Sequence, residues 1–239
     1  CATTSESSPQ MPLPDVPAVE TAVIEMTNAY RRENKLGQVK ASPELTKAAR
    51  AYAAYLAKNN AFSHTADNRD VGDRASASGY QWCSIGENLA MNLDSSGFET
   101  RELAKQTVEG WINSPPHKEN LLGPHYTEIG VGVVRAPDKN PKYITVQVFG
   151  RPQAAKYTFQ IANASGTPVT YTFSGEQHDI RPSMSVTHTA CTPAALDFIK
   201  AGAKKVTARF EASDQTVYTL KSDPKAGLKV ELAKRETVD

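Results

Sequence analysis

Histidine is scarce in this chain, with five in 239 residues, and three of them, His64, His117 and His125, lie in its N-terminal part. An imidazole changes charge near neutral pH and offers a nitrogen lone pair, so it suits both proton transfer and metal ligation. His64 stands in Ala61-Phe62-Ser63-His64-Thr65, where an aromatic residue can anchor a loop while the imidazole projects into a cleft. His117 follows Trp111-Ile112-Asn113-Ser114-Pro115-Pro116, so a helix packed through Trp111 would end in a rigid double proline that aims the next side chain. Glu87, in Ile85-Gly86-Glu87-Asn88-Leu89, supplies a carboxylate beside a permissive glycine. Two imidazoles and a carboxylate can hold a divalent cation with a fourth position open to water, the arrangement of catalytic zinc sites. Taken singly, each of the three reads as an ordinary structural or solvated side chain. Ser114 and His117 do not read as a nucleophile and its base, because near neighbours on a turn point apart, and no G-x-S-x-G elbow occurs.

The elements that must position these groups follow from periodicity. Val19, Val23, Met26, Ala29 and Tyr30 recur at helical spacing, which predicts a helix over 17–36 with Asp15 near its start and Gly37 past its end. A second helix begins at Ser42 and Pro43 and runs through Leu45, Ala49, Tyr52, Ala53 and Leu56 to Asn59 and Asn60. A third is predicted over 71–78, stopping at Gly79, and a fourth over 100–113, so that four helices precede any strand. The period then changes. Ile129, Val131 and Val133, then Ile144, Val146 and Val148, alternate on either side of Pro137, Asp138, Asn140 and Pro141, which predicts a strand, a turn and a strand. Arg151 and Pro152 end this α+β part. Beyond it, short alternating runs at 157–162, 169–173, 206–210, 217–220 and 228–232 predict a small β-sandwich, with a short helix allowed over 193–200 and nothing that points to catalysis.

Lys and Arg total 27 against 26 Asp and Glu, a net charge of +1, which argues against a nucleic-acid partner. Hydrophobic residues at 39% and charged residues at 22% are the usual globular mixture. The three cysteines, Cys1, Cys83 and Cys191, fit no metal-binding spacing. Cys1, followed by a polar, proline-rich stretch, looks like the lipidated residue of a mature bacterial lipoprotein, or else a processed terminus. A lipid on Cys1 would be the chain's only membrane attachment, and it leaves Cys83 and Cys191 to pair in an oxidising compartment or to remain buried thiols.

Four segments together resemble a known family. Phe62-Ser63-His64, Gly86-Glu87-Asn88-Leu89-Ala90, Trp111 to His117, and Tyr126-Thr127-Glu128-Ile129-Gly130-Val131-Gly132 stand in the order and approximate spacing of the CAP superfamily, in its bacterial extracellular branch. That superfamily includes the cysteine-rich secretory proteins, insect antigen 5 and plant pathogenesis-related proteins. The resemblance implies an α-β-α sandwich over 17–152 with a central cleft; the polar stretch and the strand pattern read above place a tether over 1–16 and a β-sandwich-like domain over 153–239 on either side of it. It also implies a cleft of two histidines and two glutamates that in some members binds zinc. His64, Glu87 and His117 match three of these; Asn113 and Ser114 occupy the place of the second glutamate, with Glu109 and Glu128 as weak substitutes. The resemblance therefore implies His64 and His117 as zinc ligands, Glu87 as their partner or as a catalytic base, and Ser114, Glu128 and His125 at the cleft margin. No organic cofactor is expected. The function this implies is an exported protein, anchored at the cell envelope or secreted, whose cleft binds a small molecule, a lipid or a peptide. The alternative is a metal-assisted peptidase or esterase in the same cleft.

Overall fold

The computed structural model describes residues 11–200, 202–203 and 205–235; the expected lipid site at Cys1 lies outside them. The chain divides into two compact units between Ala154 and Ala155. The first contains α1 (Val16–Glu33), β1 (Lys40–Ala41), α2 (Pro43–Asn59), α3 (Val71–Ala77), β2 (Trp82–Leu93), α4 (Thr100–Ile112), α5 (Pro115–Leu121), β3 (Glu128–Ala136) and β4 (Lys142–Pro152). Its helix starts are specified locally. Asp15 accepts from the Ala18 N–H and Ser42 from the Leu45 N–H, each with a proline in the first turn, while Asp70 and Asp73 form a reciprocal capping box for α3.

The sheet runs β1-β3-β4-β2, with β1 parallel to β3 and the other pairs antiparallel. Both of its faces are covered, and β4 shows how. Tyr143 and Phe149 join one core cluster with Val19 and Val23 of α1 and Leu103, Val108 and Trp111 of α4. Ile144, Val146 and Val148 join a second with Leu45, Tyr52 and Leu56 of α2 and Ala75 of α3. The result is the α-β-α arrangement expected from the sequence. Its closest approach is α2 on β3. A Cβ added at Gly130 would stand 2.1 Å from the Leu45 main-chain carbon, and one at Gly132 would stand 2.3 Å from the Arg50 nitrogen. The two glycines let a helix lie directly on a strand backbone.

Several elements differ from the sequence expectation, which also contained no strand at 40–41, 176–180 or 185–190. A 12-residue strand, β2, lies between α3 and α4. Glu87 and Asn88 are both buried on it, and buried polar residues on opposite faces erase the apolar alternation that marks a strand. Pro115 and Pro116 begin a helix, α5, because neither needs an N–H in a first turn. The segment 195–200 is strand, not helix.

The second unit is all β: β5 (Tyr157–Asn163), β6 (Val169–Phe173), β7 (Glu176–Ile180), β8 (Ser185–Ala190), β9 (Ala195–Lys200), β10 (Ala208–Glu211), β11 (Thr216–Lys221) and β12 (Lys229–Lys234). Two four-stranded sheets, ordered β10-β9-β6-β7 and β12-β11-β5-β8, contribute to one core. Tyr171, Phe173, Leu196 and Phe198 come from the first sheet, and Phe159, Ile161, Tyr218 and Leu220 from the second. Cys83 and Cys191 are both disulfide-bonded. Among the described residues no helix is long and apolar enough to cross a membrane.

The helix-on-glycine contact sets a stability expectation. Gly130→Ala or Gly132→Ala should cost about 1–3 kcal/mol by overpacking. Gly110→Ala, within α4 and with nothing inside 4 Å of the added carbon, should stabilise by up to about 1 kcal/mol. The chain's two tryptophans, Trp82 and Trp111, both lie in the first unit, so urea unfolding followed by tryptophan fluorescence measures these changes.

Candidate functional site

The site begins where α2 ends. Asn60 adopts a left-handed conformation (φ 46°) that turns the chain out of the helix. The loop that follows is then gripped from α2 itself. The hydroxyl of buried Tyr52 donates to the Ser63 carbonyl and accepts from the Ala66 N–H at 3.1 Å, and Tyr55 donates to the Ala66 carbonyl at 3.1 Å. His64, between these fixed points, is exposed, and its Nδ1 lies 2.8 Å from Oε1 of Glu87.

Glu87 projects from β2 with only 3% of its side chain exposed. Its second oxygen, Oε2, accepts from Nη2 of Arg74 at 2.8 Å. Arg74, similarly buried, also donates to Asp67 Oδ1 at 3.0 Å, to the Arg69 carbonyl at 2.8 Å and to the His64 carbonyl at 3.1 Å, and its guanidinium lies over the Tyr52 ring. A buried carboxylate is tolerated when it is paired and its lone pairs are satisfied. Each oxygen of Glu87 has a partner, and when Nδ1 of His64 is the donor to Oε1 its Nε2 is the ring nitrogen left for other contacts.

His117 arrives from the other side, on α5. Ser114 is the N-cap residue of that helix, and its Oγ lies 2.8 Å from His117 Nδ1. This overturns the expectation that the two side chains point apart. The prolines start a helix, and residues three apart at a helix start share a face. The carbonyl of His117 accepts from Asn88 at 3.2 Å, and Asn120 bonds both the Glu87 carbonyl (3.0 Å) and Asn88 Oδ1 (2.9 Å). Asn88 continues inward to Gln147 at 3.0 Å, and Gln147 to Thr27 at 2.9 Å, so α5 is tied through the sheet to α1. The fully buried guanidinium of Arg31 secures the far end of α5, donating to the carbonyls of Gly37, Leu121, Gly123 and Tyr126. Burial, and then the charge of His64, holds the His117 pKa below the ordinary histidine value. The two imidazoles are thus within electrostatic reach of each other.

The remaining candidates go elsewhere. Glu128 accepts from the hydroxyl of buried Tyr80, whose pKa is pushed up by burial and by that bond. Glu109 is exposed, with Lys105 3.7 Å away. His125 is half-buried, and its carbonyl accepts from Arg151 at 3.2 Å. Arg74, Asn88, Asn120 and Gln147 were not legible as site residues, because their roles arise from contacts across the fold. As for zinc, the donor set is the two imidazoles, with buried Glu87 bonded to His64 and Arg74. No group of three or more His, Cys, Asp or Glu that could hold a metal occurs among the described residues. The set fits a cation held by two nitrogens and completed by solvent or ligand, and does not fit a closed protein cage.

The model of the cysteine-rich secretory protein family, CAP, matches residues 24–149, and the chain belongs to that family. The uncharacterized protein YkwD of Bacillus subtilis (strain 168) is 34% identical over 122 residues, 51% of this chain and 44% of that protein. Among solved structures, an outer surface protein from Borrelia burgdorferi aligns with a TM-score of 0.51 at 22% identity, covering 60% of this chain and 100% of that one, a likeness of fold. An extracellular SCP-domain protein from Bacillus anthracis str. Ames is 26% identical, with a TM-score of 0.47, over 59% of this chain and 45% of that one. This chain thus spans less than half the length of YkwD.

Two outcomes follow from the geometry. Arg74→Met should cost about 3–5 kcal/mol, because it removes the buried cation that faces Glu87, whereas Arg74→Met with Glu87→Leu should recover much of the loss; tryptophan-monitored unfolding compares them. His117 should titrate below its ordinary range in nitrogen-detected NMR, and His64→Ala should raise its pKa only in part, since burial is the larger cause. The sign for stability follows. A histidine with a depressed folded pKa contributes fully above its unfolded value of about 6.5, and the contribution is lost as pH falls through the folded value.

Proposed function

We propose that this is an exported CAP-domain protein that binds a small molecule, lipid or peptide in the cleft between the loop after α2 and the start of α5. His64 and His117 are its polar contacts, and Glu87 anchors the first of them. The observation that carries this reading is the state of the two imidazoles. Each has Nδ1 engaged, His64 by Glu87 and His117 by Ser114, which directs Nε2 to whatever enters the site. With Nδ1 protonated in both rings, the two Nε2 atoms would receive a hydrogen-bond donor or a borderline divalent cation, zinc first, and a bound cation would add a Lewis acid at the ligand. The disulfide supports an oxidising compartment, and two of the relatives are described as outer-surface and extracellular proteins.

Binding is favoured over hydrolysis by the commitments of Glu87. A general base must reach the proton it takes, and Glu87, with 3% of its side chain exposed, is turned toward Arg74 and His64. Hydrolysis through Glu87 would require that carboxylate to be uncovered.

Calorimetry with Zn2+ tests the site. Wild-type protein should bind, either His64→Ala or His117→Ala should lose most of the affinity, and binding should weaken as pH falls through about 6.5, where imidazole takes up the proton that competes with the metal. Binding retained in the double variant would reject the site. Turnover of generic peptide or ester substrates that is abolished by Glu87→Gln while zinc still binds would replace the binding reading with the enzymatic one.

A further inference from the structure

The second unit holds two more histidines, and the strands that carry them place them together. β7 and β8 are the last strands of their respective sheets. His178 is the cross-strand partner of Tyr171, and His188 that of Phe159; both partners are core residues, so both imidazoles face inward at the open edge of the sandwich. Their ring centres are 5.5 Å apart with planes at 60°. The Phe159 and Phe173 rings flank His188, and Tyr171 stacks on His178. The Tyr171 hydroxyl is 2.8 Å from Nε2 of His188. The edge stays open to solvent, since about a third of the His178 side chain is exposed (34%) and the Glu176 carboxylate, 3.9 Å from His178 Nε2, is 81% exposed.

We propose that His178 and His188 form a second cation site, a two-imidazole clamp for a borderline divalent transition metal, with Cu2+ bound more tightly than Zn2+. The spacing carries the argument. A metal about 2.0–2.1 Å from one nitrogen of each ring lies about 3.2 Å from each ring centre, and two centres at the observed separation then subtend roughly 120° at the ion, close to the angle of a four-coordinate site. Tyr171 acts as the orienting partner. When Nε2–H of His188 donates to the tyrosine oxygen, Nδ1 carries the lone pair for the metal, as ligating histidines are commonly held from behind. Water from the open edge would fill the remaining positions. The preference for copper follows the general order of divalent affinities for imidazole donors.

The test uses the full chain carrying His64→Ala and His117→Ala, which removes the cleft histidines and so separates this proposal from the function proposed above. Cu2+ titration should show one binding event with nitrogen hyperfine structure in the electron paramagnetic resonance spectrum. His178→Phe and His188→Phe, which keep an aromatic ring at the edge, should each weaken that event at least tenfold. Cu2+ should also raise the thermal midpoint of the unsubstituted edge and leave that of the His178→Phe protein unchanged. If His188→Phe does not fold, the partly exposed position 178 decides alone. Affinity within twofold of the parent in folded His178→Phe protein would overturn the proposal and reduce the pair to aromatic packing. So would the absence of Cu2+ binding in the parent.

Discussion

The buried charge of Glu87 is the constraint around which the first unit's functional face is arranged. A carboxylate almost wholly removed from water is unstable unless both oxygens are paired, and the fold supplies a cation from one element and an imidazole from another. Satisfying it fixes three pieces at once. The loop after α2 must bring His64 within 2.8 Å, α3 must present Arg74, and β2 must run as the edge strand that carries the carboxylate. Arg74 then reaches back to the His64 carbonyl, so the imidazole is held at its main chain and at its ring by two sides of one ion pair.

The two cleft histidines are consequently not equivalent. His64 rests on a buried anion and is exposed; His117 rests on the neutral hydroxyl of Ser114 and is half-buried, with its protonated form disfavoured. The hydroxyl stands where the resemblance places a second glutamate. Exchanging a carboxylate for a hydroxyl removes both a metal ligand and the charge that would favour an imidazolium. What remains is two imidazoles with different electrostatic backing.

Rigidity reaches this site from a distance. The contact of α2 with Gly130 and Gly132 fixes the helix on the sheet, and Tyr52, in the interior of α2, passes that position to the loop around His64. On the other face the chain Thr27–Gln147–Asn88–Asn120 and the carbonyl cage around Arg31 do the same for α5 and His117. Both imidazoles therefore sit at element ends secured by packed or hydrogen-bonded residues, the arrangement that keeps a binding geometry from drifting.

Local chemistry was legible in the sequence. Asp15, Ser42 with Pro43, and the alternation around Gly130 marked helix starts and a strand, since each is decided by neighbours in the chain. His64, Glu87 and His117 were recognisable as candidates because their residue types restrict the chemistry available and their flanking motifs resemble a family. The tertiary structure decided the rest. It made a strand of 82–93 in spite of buried Glu87 and Asn88, because the cost of those polar groups is met by Arg74, His64, Asn120 and Gln147 from other segments. It also paired Ser114 with His117 by starting a helix at two prolines, and set His178 against His188 by closing one sheet over another. Periodicity reports which face a residue turns to the core; it carries no information about which distant group will satisfy a polar atom buried there, and that pairing exists only once the layers are packed.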